Sequence, residues 1–97
     1  MKPVKRIEIV IGAAHARGLT DALKRAGVPG YTLIRDVQGT GDRGDRGGDE
    51  LTDVYRNCYL IVAAPEDVVP PLLEAVRPML DRYGGMCLVS DGQLLRD

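Results

Sequence analysis

Hydrophobic and charged side chains alternate along residues 4–11. Ile7, Ile9 and Ile11 share one parity of this alternation. Because successive side chains of a β-strand point to opposite sides of a sheet, the pattern predicts a strand with one strongly apolar face. Gly12 follows and is expected to end the strand.

Two helices are predicted from apolar residues that recur at intervals of three and four. The first spans about residues 15–26, and Gly27 follows it at a position where a positive φ angle costs little. The second begins near residues 65–67 and has an apolar stripe formed by Val69, Leu72, Leu73, Val76 and Leu80. Pro78 conflicts with this helix, since proline removes a backbone hydrogen bond and is expected to kink or loosen the last turn.

Three more strands are predicted at residues 31–38, 57–64 and 86–89, followed by a polar tail from 90 to 97. The run 57–64 is almost continuously apolar, which suits a central strand. The element order is therefore β-α-β-β-α-β. With two right-handed βαβ crossovers, this order predicts an α+β, ferredoxin-like domain with a four-stranded antiparallel sheet and both helices on one face.

The chain length of 97 residues suits a single domain that occupies residues 1–97. The sheet face away from the helices carries apolar residues that no further element could cover, which predicts a homo-oligomer. The N-terminus lacks the apolar core of a signal peptide, and no apolar run reaches the roughly 18 residues that span a bilayer. We therefore expect a cytoplasmic protein, with Cys58 and Cys87 as reduced thiols inside strands.

Residues 39–50 include five glycines and no bulky apolar side chain, so they predict a surface loop. Glycine lets backbone N–H groups approach an anion closely. Arg43 and Arg46 add forked donors that match phosphate or carboxylate-like oxyanions. The loop is thus a candidate anion-binding switch, and the alternative is a solvated linker.

Other chemistry has little support in the sequence. His15 is the single histidine, without cysteines at ligand spacing, so zinc binding is not expected and an exposed or helix-capping role is favoured. No nucleophile with a neighbouring base is recognisable, which argues against an enzyme. Gly84 and Gly85 offer a close approach to a ligand or form an ordinary turn between helix and strand.

Several motifs together resemble the PII family of signal proteins. They are the Pro-Gly-Tyr-Thr turn at 29–32, the Gly-Thr-Gly run at 39–41, and the apolar strand with Pro and two acids at 62–67. The run 77–91 is similar to PII-like proteins linked to inorganic-carbon uptake and carboxysomes. The resemblance implies a homotrimer, a regulatory T-loop at about 39–52, and adenine nucleotide (ADP, AMP or ATP) in clefts between subunits, without a required metal.

The resemblance also implies site residues, a second ligand and a partner. The nucleotide-binding residues would be Gly30, Thr32, Gly39, Gly41, Asn57, Ala63, Gly84, Gly85 and Met86. Bicarbonate or the T-loop switch would involve Gly41, Arg43 and Arg46. The expected partner is a membrane bicarbonate transporter or a carboxysome component, with no nucleic acid and no membrane insertion.

The chain also departs from the family pattern. Asn57 stands where the family has a phosphate-contacting lysine, the phosphate-binding loop is shortened to residues 84–86, and Arg96 is the one candidate for the C-terminal arginines. Two alternatives share the expected fold: an RNA-binding module and a trimeric metal-tolerance protein. A net charge of −1 and the absence of Phe and Trp argue against the first, and the missing His/Cys cluster against the second.

Overall fold

The computed structural model describes residues 1–38 and 56–96. It confirms the predicted element order, with a short 3₁₀ turn before each helix. The strands are β1 (Lys2–Gly12), β2 (Thr32–Gln38), β3 (Arg56–Ala64) and β4 (Met86–Leu94), and the helices are α1 (Ala16–Arg25) and α2 (Val69–Tyr83). Within the described ranges, neither helix is long and apolar enough to cross a membrane.

The four strands form one sheet in the order β2-β3-β1-β4, and all neighbours are antiparallel. The predicted apolar face of β1 is confirmed, because Ile7, Ile9 and Ile11 are completely buried. They belong to one core cluster with side chains of both helices, so α1 and α2 cover the same face of the sheet. The cluster also includes Leu19, Leu23, Cys58, Leu60, Val62, Leu72 and Val76. This is the ferredoxin-like arrangement.

The predicted end of the fourth strand at Val89 is wrong. β4 continues to Leu94 and pairs with β1 along its whole length, where the prediction had a polar tail. Lys5 Nζ lies 2.5 Å from a carboxylate oxygen of Asp91 across this pair. Since β4 is an edge strand with much exposed surface, polar side chains fit it without a desolvation cost, and their polarity did not reveal the strand.

Helix α2 continues through Pro78 to Tyr83, so the proline does not end it. Its side chains Leu72 and Val76 are buried on the side that faces the sheet and pack the helix against it. Gly84 follows as the C-cap residue, and its N–H donates a hydrogen bond of 2.8 Å to the carbonyl of Leu80.

The sheet face opposite the helices, here called the open face, is not covered by any described element. Pairing partners in an antiparallel sheet share a face, so the register assigns to it the residues Val4, Arg6, Glu8, Val10, Thr32, Ile34, Asn57, Tyr59, Ile61, Ala63, Met86, Leu88, Ser90, Gly92 and Leu94. Its centre is polar: the Tyr59 hydroxyl donates to Glu8 at 2.5 Å, and Arg6 Nε lies 3.5 Å from the same carboxylate.

Exposed apolar side chains, including Met86 and Leu88, border that polar centre. The Tyr59 pKa is raised, chiefly by the hydrogen bond to Glu8. Arg6 also donates to Ser90 Oγ at 3.3 Å, so the polar groups in the middle of the open face satisfy one another. Such a face can be covered by another protein surface without leaving those groups unpaired.

Candidate functional site

Part of the predicted site gathers at one end of the sheet. At this end, here called the loop end, β2 stops at Gln38 and β3 begins at Arg56. Asn57 pairs with Gly12, and Met86 at the start of β4 pairs with Val10. The register thereby places Asn57 and the turn before Met86 beside the root of the predicted loop.

The turn between α2 and β4 requires glycine. Gly84 and Gly85 have φ angles of 86° and 104°, which side-chain-bearing residues rarely adopt. A Cβ atom on Gly85 would lie 2.3 Å from the carbonyl oxygen of Val10, so this turn packs directly on the backbone of β1. These features fit an ordinary turn, and they equally provide the exposed backbone of a phosphate site.

The remaining predicted residues lie toward the other end of the sheet. Thr32 pairs with Ile61, Ala63 pairs with Arg6, and Gly30 precedes β2. Asn57 and Ala63 are six positions apart in β3, a distance of about 20 Å at the rise of a strand. Gly30, Thr32 and Ala63 are all exposed. A single chain therefore does not bring the described members of the predicted nucleotide-binding set together.

The predicted strand residues nevertheless share a face. Thr32, Asn57, Ala63 and Met86 all belong to the open face. Four further predicted site residues, Gly39, Gly41, Arg43 and Arg46, lie outside the described residues.

A stacked aromatic pair at the loop end was missed by the sequence analysis. The rings of His15 and Tyr83 have centroids 3.7 Å apart and planes inclined by 16°. His15 occupies the N-cap position of α1 but makes no side-chain capping bond. Its expected capping or exposed role is therefore wrong: the side chain is half-buried against Tyr83. The two residues are 68 positions apart in the chain, so no local pattern indicates the contact.

An open cavity of about 510 Å³ has none of the described predicted site residues in its lining. Its lining includes the ion pair of Lys5 and Asp91 together with Glu66. The Lys5 pKa is raised, first because Asp91 accepts a hydrogen bond from the ammonium and then by the attraction of that carboxylate. A lysine already paired with a carboxylate offers little attraction to an additional anion.

Both cysteines are present as thiols. Cys58 is buried and Cys87 half-buried, and burial raises the pKa of each thiol. The thiols therefore stay protonated and poorly nucleophilic at neutral pH. Across residues 1–38 and 56–96, no group of His, Cys, Asp and Glu side chains could hold a metal ion.

The fold matches a known class of signalling protein. The chain belongs to the family of nitrogen regulatory protein P-II, whose model matches residues 4–97. Among solved structures, it is similar to CPII, a nitrogen regulatory PII-like protein from Thiomonas intermedia K12 bound to ADP, AMP and bicarbonate. The identity is 37% and the TM-score 0.82, over 98% of this chain and 96% of that one.

Two further comparisons agree on the fold. A candidate PII-like signalling protein from Thermus thermophilus is 25% identical, with a TM-score of 0.73 over 94% of this chain and 88% of that one. The GlnK–ATP complex of B. subtilis shares the fold at 20% identity and a TM-score of 0.67, over 94% of this chain and 84% of that one. No curated protein sequence matches the chain.

Proposed function

We propose that this chain is a non-catalytic regulator that acts in the cytoplasm as a homotrimer and binds ADP or AMP, together with bicarbonate. The observation that carries the proposal is the division of the predicted site between two parts of an open sheet face. Neighbouring copies packed through that face would join the loop end of one subunit to Thr32 and Ala63 of the next.

The loop end is suited to phosphate. The N–H of Gly84 is bonded to the Leu80 carbonyl, but Gly84 and Gly85 have no side chains that would keep a phosphate away from the turn, and Asn57 adds an amide donor. In the proposed site, Gly39, Gly41 and the Arg43 guanidinium complete the binding of the anionic groups. Arg46 and the other loop residues would then contact bicarbonate or transmit its binding.

The other part of the proposed site, around Thr32 and Ala63, is suited to the adenine base. Ala63 is small and exposed, so a flat ring can lie close to the strand there. Thr32 contributes a hydroxyl that both donates and accepts hydrogen bonds, and Gly30 leaves space beside it because nothing lies within 4 Å of its hypothetical Cβ. The likeness to CPII, which binds ADP and AMP, supports an adenine nucleotide as the ligand.

The regulatory output would come from residues 39–52 as a T-loop. A glycine-rich segment loses much conformational entropy when it becomes ordered, so ligand contacts can control its state. The ordered or released loop would contact a membrane bicarbonate transporter or a carboxysome component. This part of the proposal rests on the family and on the bicarbonate in the CPII structure.

Calorimetry tests the ligand assignment. The parent chain is expected to bind ADP, and bicarbonate is expected to tighten that binding. Arg43→Ala with Arg46→Ala should weaken ADP binding at least about tenfold and remove the bicarbonate effect, because one hydrogen bond to a charged group contributes about 1.5–3 kcal/mol and about 1.4 kcal/mol is a factor of ten. Arg17→Ala with Arg25→Ala, on the exposed side of α1, is the control for charge alone. Unchanged affinity for both ligands would exclude the loop arginines from the site.

Mixed trimers test the composite cleft. Ala63→Trp should fill the base half, and Asn57→Asp, which keeps the size of the side chain, should repel phosphate at the loop end, so neither variant alone should bind ADP. Co-assembly of the two should restore binding in some clefts, because a cleft can then take its intact halves from different subunits. If both variants remain trimeric by light scattering but their mixture stays inactive, the site does not lie between subunits.

A further inference from the structure

The His15–Tyr83 stack joins two turns that are distant in the sequence. His15 lies in the 3₁₀ segment between β1 and α1, and Tyr83 is the last residue of α2. The Arg82 guanidinium lies 5.5 Å from the centre of the Tyr83 ring and adds a cation–π contact. The His15 ring also lies close to Gly12: a Cβ atom added to Gly12 would lie 3.5 Å from Cδ2 of His15.

The stack is next to the glycine turn. Tyr83 is bonded directly to Gly84, and Gly85 rests on the backbone of Val10. Two consecutive glycines would sample many conformations if only one end were held. The structure holds the turn at three points: the hydrogen bond from Gly84, the packing of Gly85 on β1, and the stack at Tyr83.

We propose that His15 and Tyr83 form a positioning pair that keeps the turn at Gly84 and Gly85 in the conformation that accommodates the phosphates of an adenine nucleotide. This inference rests on the proposed function and adds two residues to its site. Neither residue contacts the ligand. Their stacking reduces the entropy that the two glycines lose when the nucleotide binds, which is the usual benefit of preorganisation.

The decisive experiment is a double-mutant cycle on ADP affinity, measured by calorimetry. His15→Ala and Tyr83→Ala should each weaken ADP binding about tenfold, and the double variant should be little weaker than either, since both remove the same contact. His15→Phe and Tyr83→Phe keep two stacked rings, so both should retain affinity within about twofold of the parent.

A stability control separates positioning from general damage. Met79 on α2 packs near Gly18 of α1, where its Cε atom lies 3.4 Å from a hypothetical Cβ. Met79→Ala should therefore loosen the helix pair without touching the turn, and ADP affinity should stay at the parental value. Hydrogen exchange gives a readout without ligand: the Gly84 amide should exchange about tenfold faster in both alanine variants of the stack but not in Met79→Ala.

The outcomes distinguish this inference from the proposed function. If the parent chain binds ADP and the two alanine variants bind it equally well, the positioning pair is refuted and the nucleotide proposal stands. Additive losses in the double variant would also refute it, because the residues would then act independently. Failure of the parent chain to bind ADP would overturn both proposals.

Discussion

Replacement of Gly85 by alanine is expected to lower the free energy of unfolding by about 4 kcal/mol, the largest effect of any single methyl group that we predict. The added Cβ would lie 2.3 Å from the Val10 carbonyl oxygen and 3.3 Å from Ile11 Cα. Both atoms belong to the backbone of a central strand, which cannot move without disturbing its pairing. The φ angle of 104° adds strain for any residue with a side chain.

Gly27→Ala is the matched control for this variant. Gly27 also has a positive φ angle, 85°, but nothing lies within 4 Å of its hypothetical Cβ. Its replacement should cost only about 1 kcal/mol, from backbone strain alone. Urea denaturation at one fixed protein concentration compares the two variants. Equal losses would mean that steric contact with β1 does not determine the requirement for glycine at position 85.

A carboxylate at position 88 is expected to dissociate the proposed trimer into monomers. Leu88 is 51% exposed on the open face, beside Glu8 across the β1–β4 pair. If neighbouring copies cover this face, Leu88→Asp buries a second negative charge next to the Glu8 carboxylate. An unpaired buried charge costs several kcal/mol, which is enough to abolish association at micromolar concentration.

Val89→Asp provides the control for position 88 in the same strand. Val89 is 39% exposed but lies on the helix side of the sheet, because it pairs with Ile7. This variant should remain a trimer in sedimentation equilibrium, whereas Leu88→Asp should sediment as a single folded chain. A trimeric Leu88→Asp variant would show that the open face is not the contact surface between copies.

The open face also bears on the RNA-binding alternative. Such modules stack bases on exposed aromatic side chains of the sheet. The described aromatic residue on this face, Tyr59, instead donates its hydroxyl to Glu8. The face is better suited to a copy of the same chain than to a nucleic acid.

The parts of the fold predicted correctly from sequence are those that depend on burial. Ile7, Ile9 and Ile11 had to share a face, and Leu19 and Leu72 had to lie on the inner sides of their helices. Burial imposes a periodicity that polar substitution would break, so it is visible in one sequence. The extension of β4 from Ser90 to Leu94 imposes no such periodicity, because an edge strand tolerates polar residues, and it was therefore missed.

The candidate site also has one part that could be predicted from the sequence and one part that could not. Gly84 and Gly85 could be recognised because only glycine readily adopts their positive φ angles, and that demand is local. The stack of His15 on Tyr83 could not be recognised, since neither residue breaks a local rule. It exists because the antiparallel pairing of β1 and β4 brings the end of α2 beside the start of α1.

The amino-acid order alone determined the order of the helices and strands, their buried faces and the glycine turn at residues 84 and 85. Each of these depends on interactions within a few residues or on a repeating pattern of burial. The tertiary structure decided where those elements meet. It divided the described strand residues of the predicted nucleotide site between two regions of one open face and placed an aromatic stack beside the glycine turn. Both outcomes follow from strand register, which couples residues far apart in the chain and leaves no mark on their immediate neighbours.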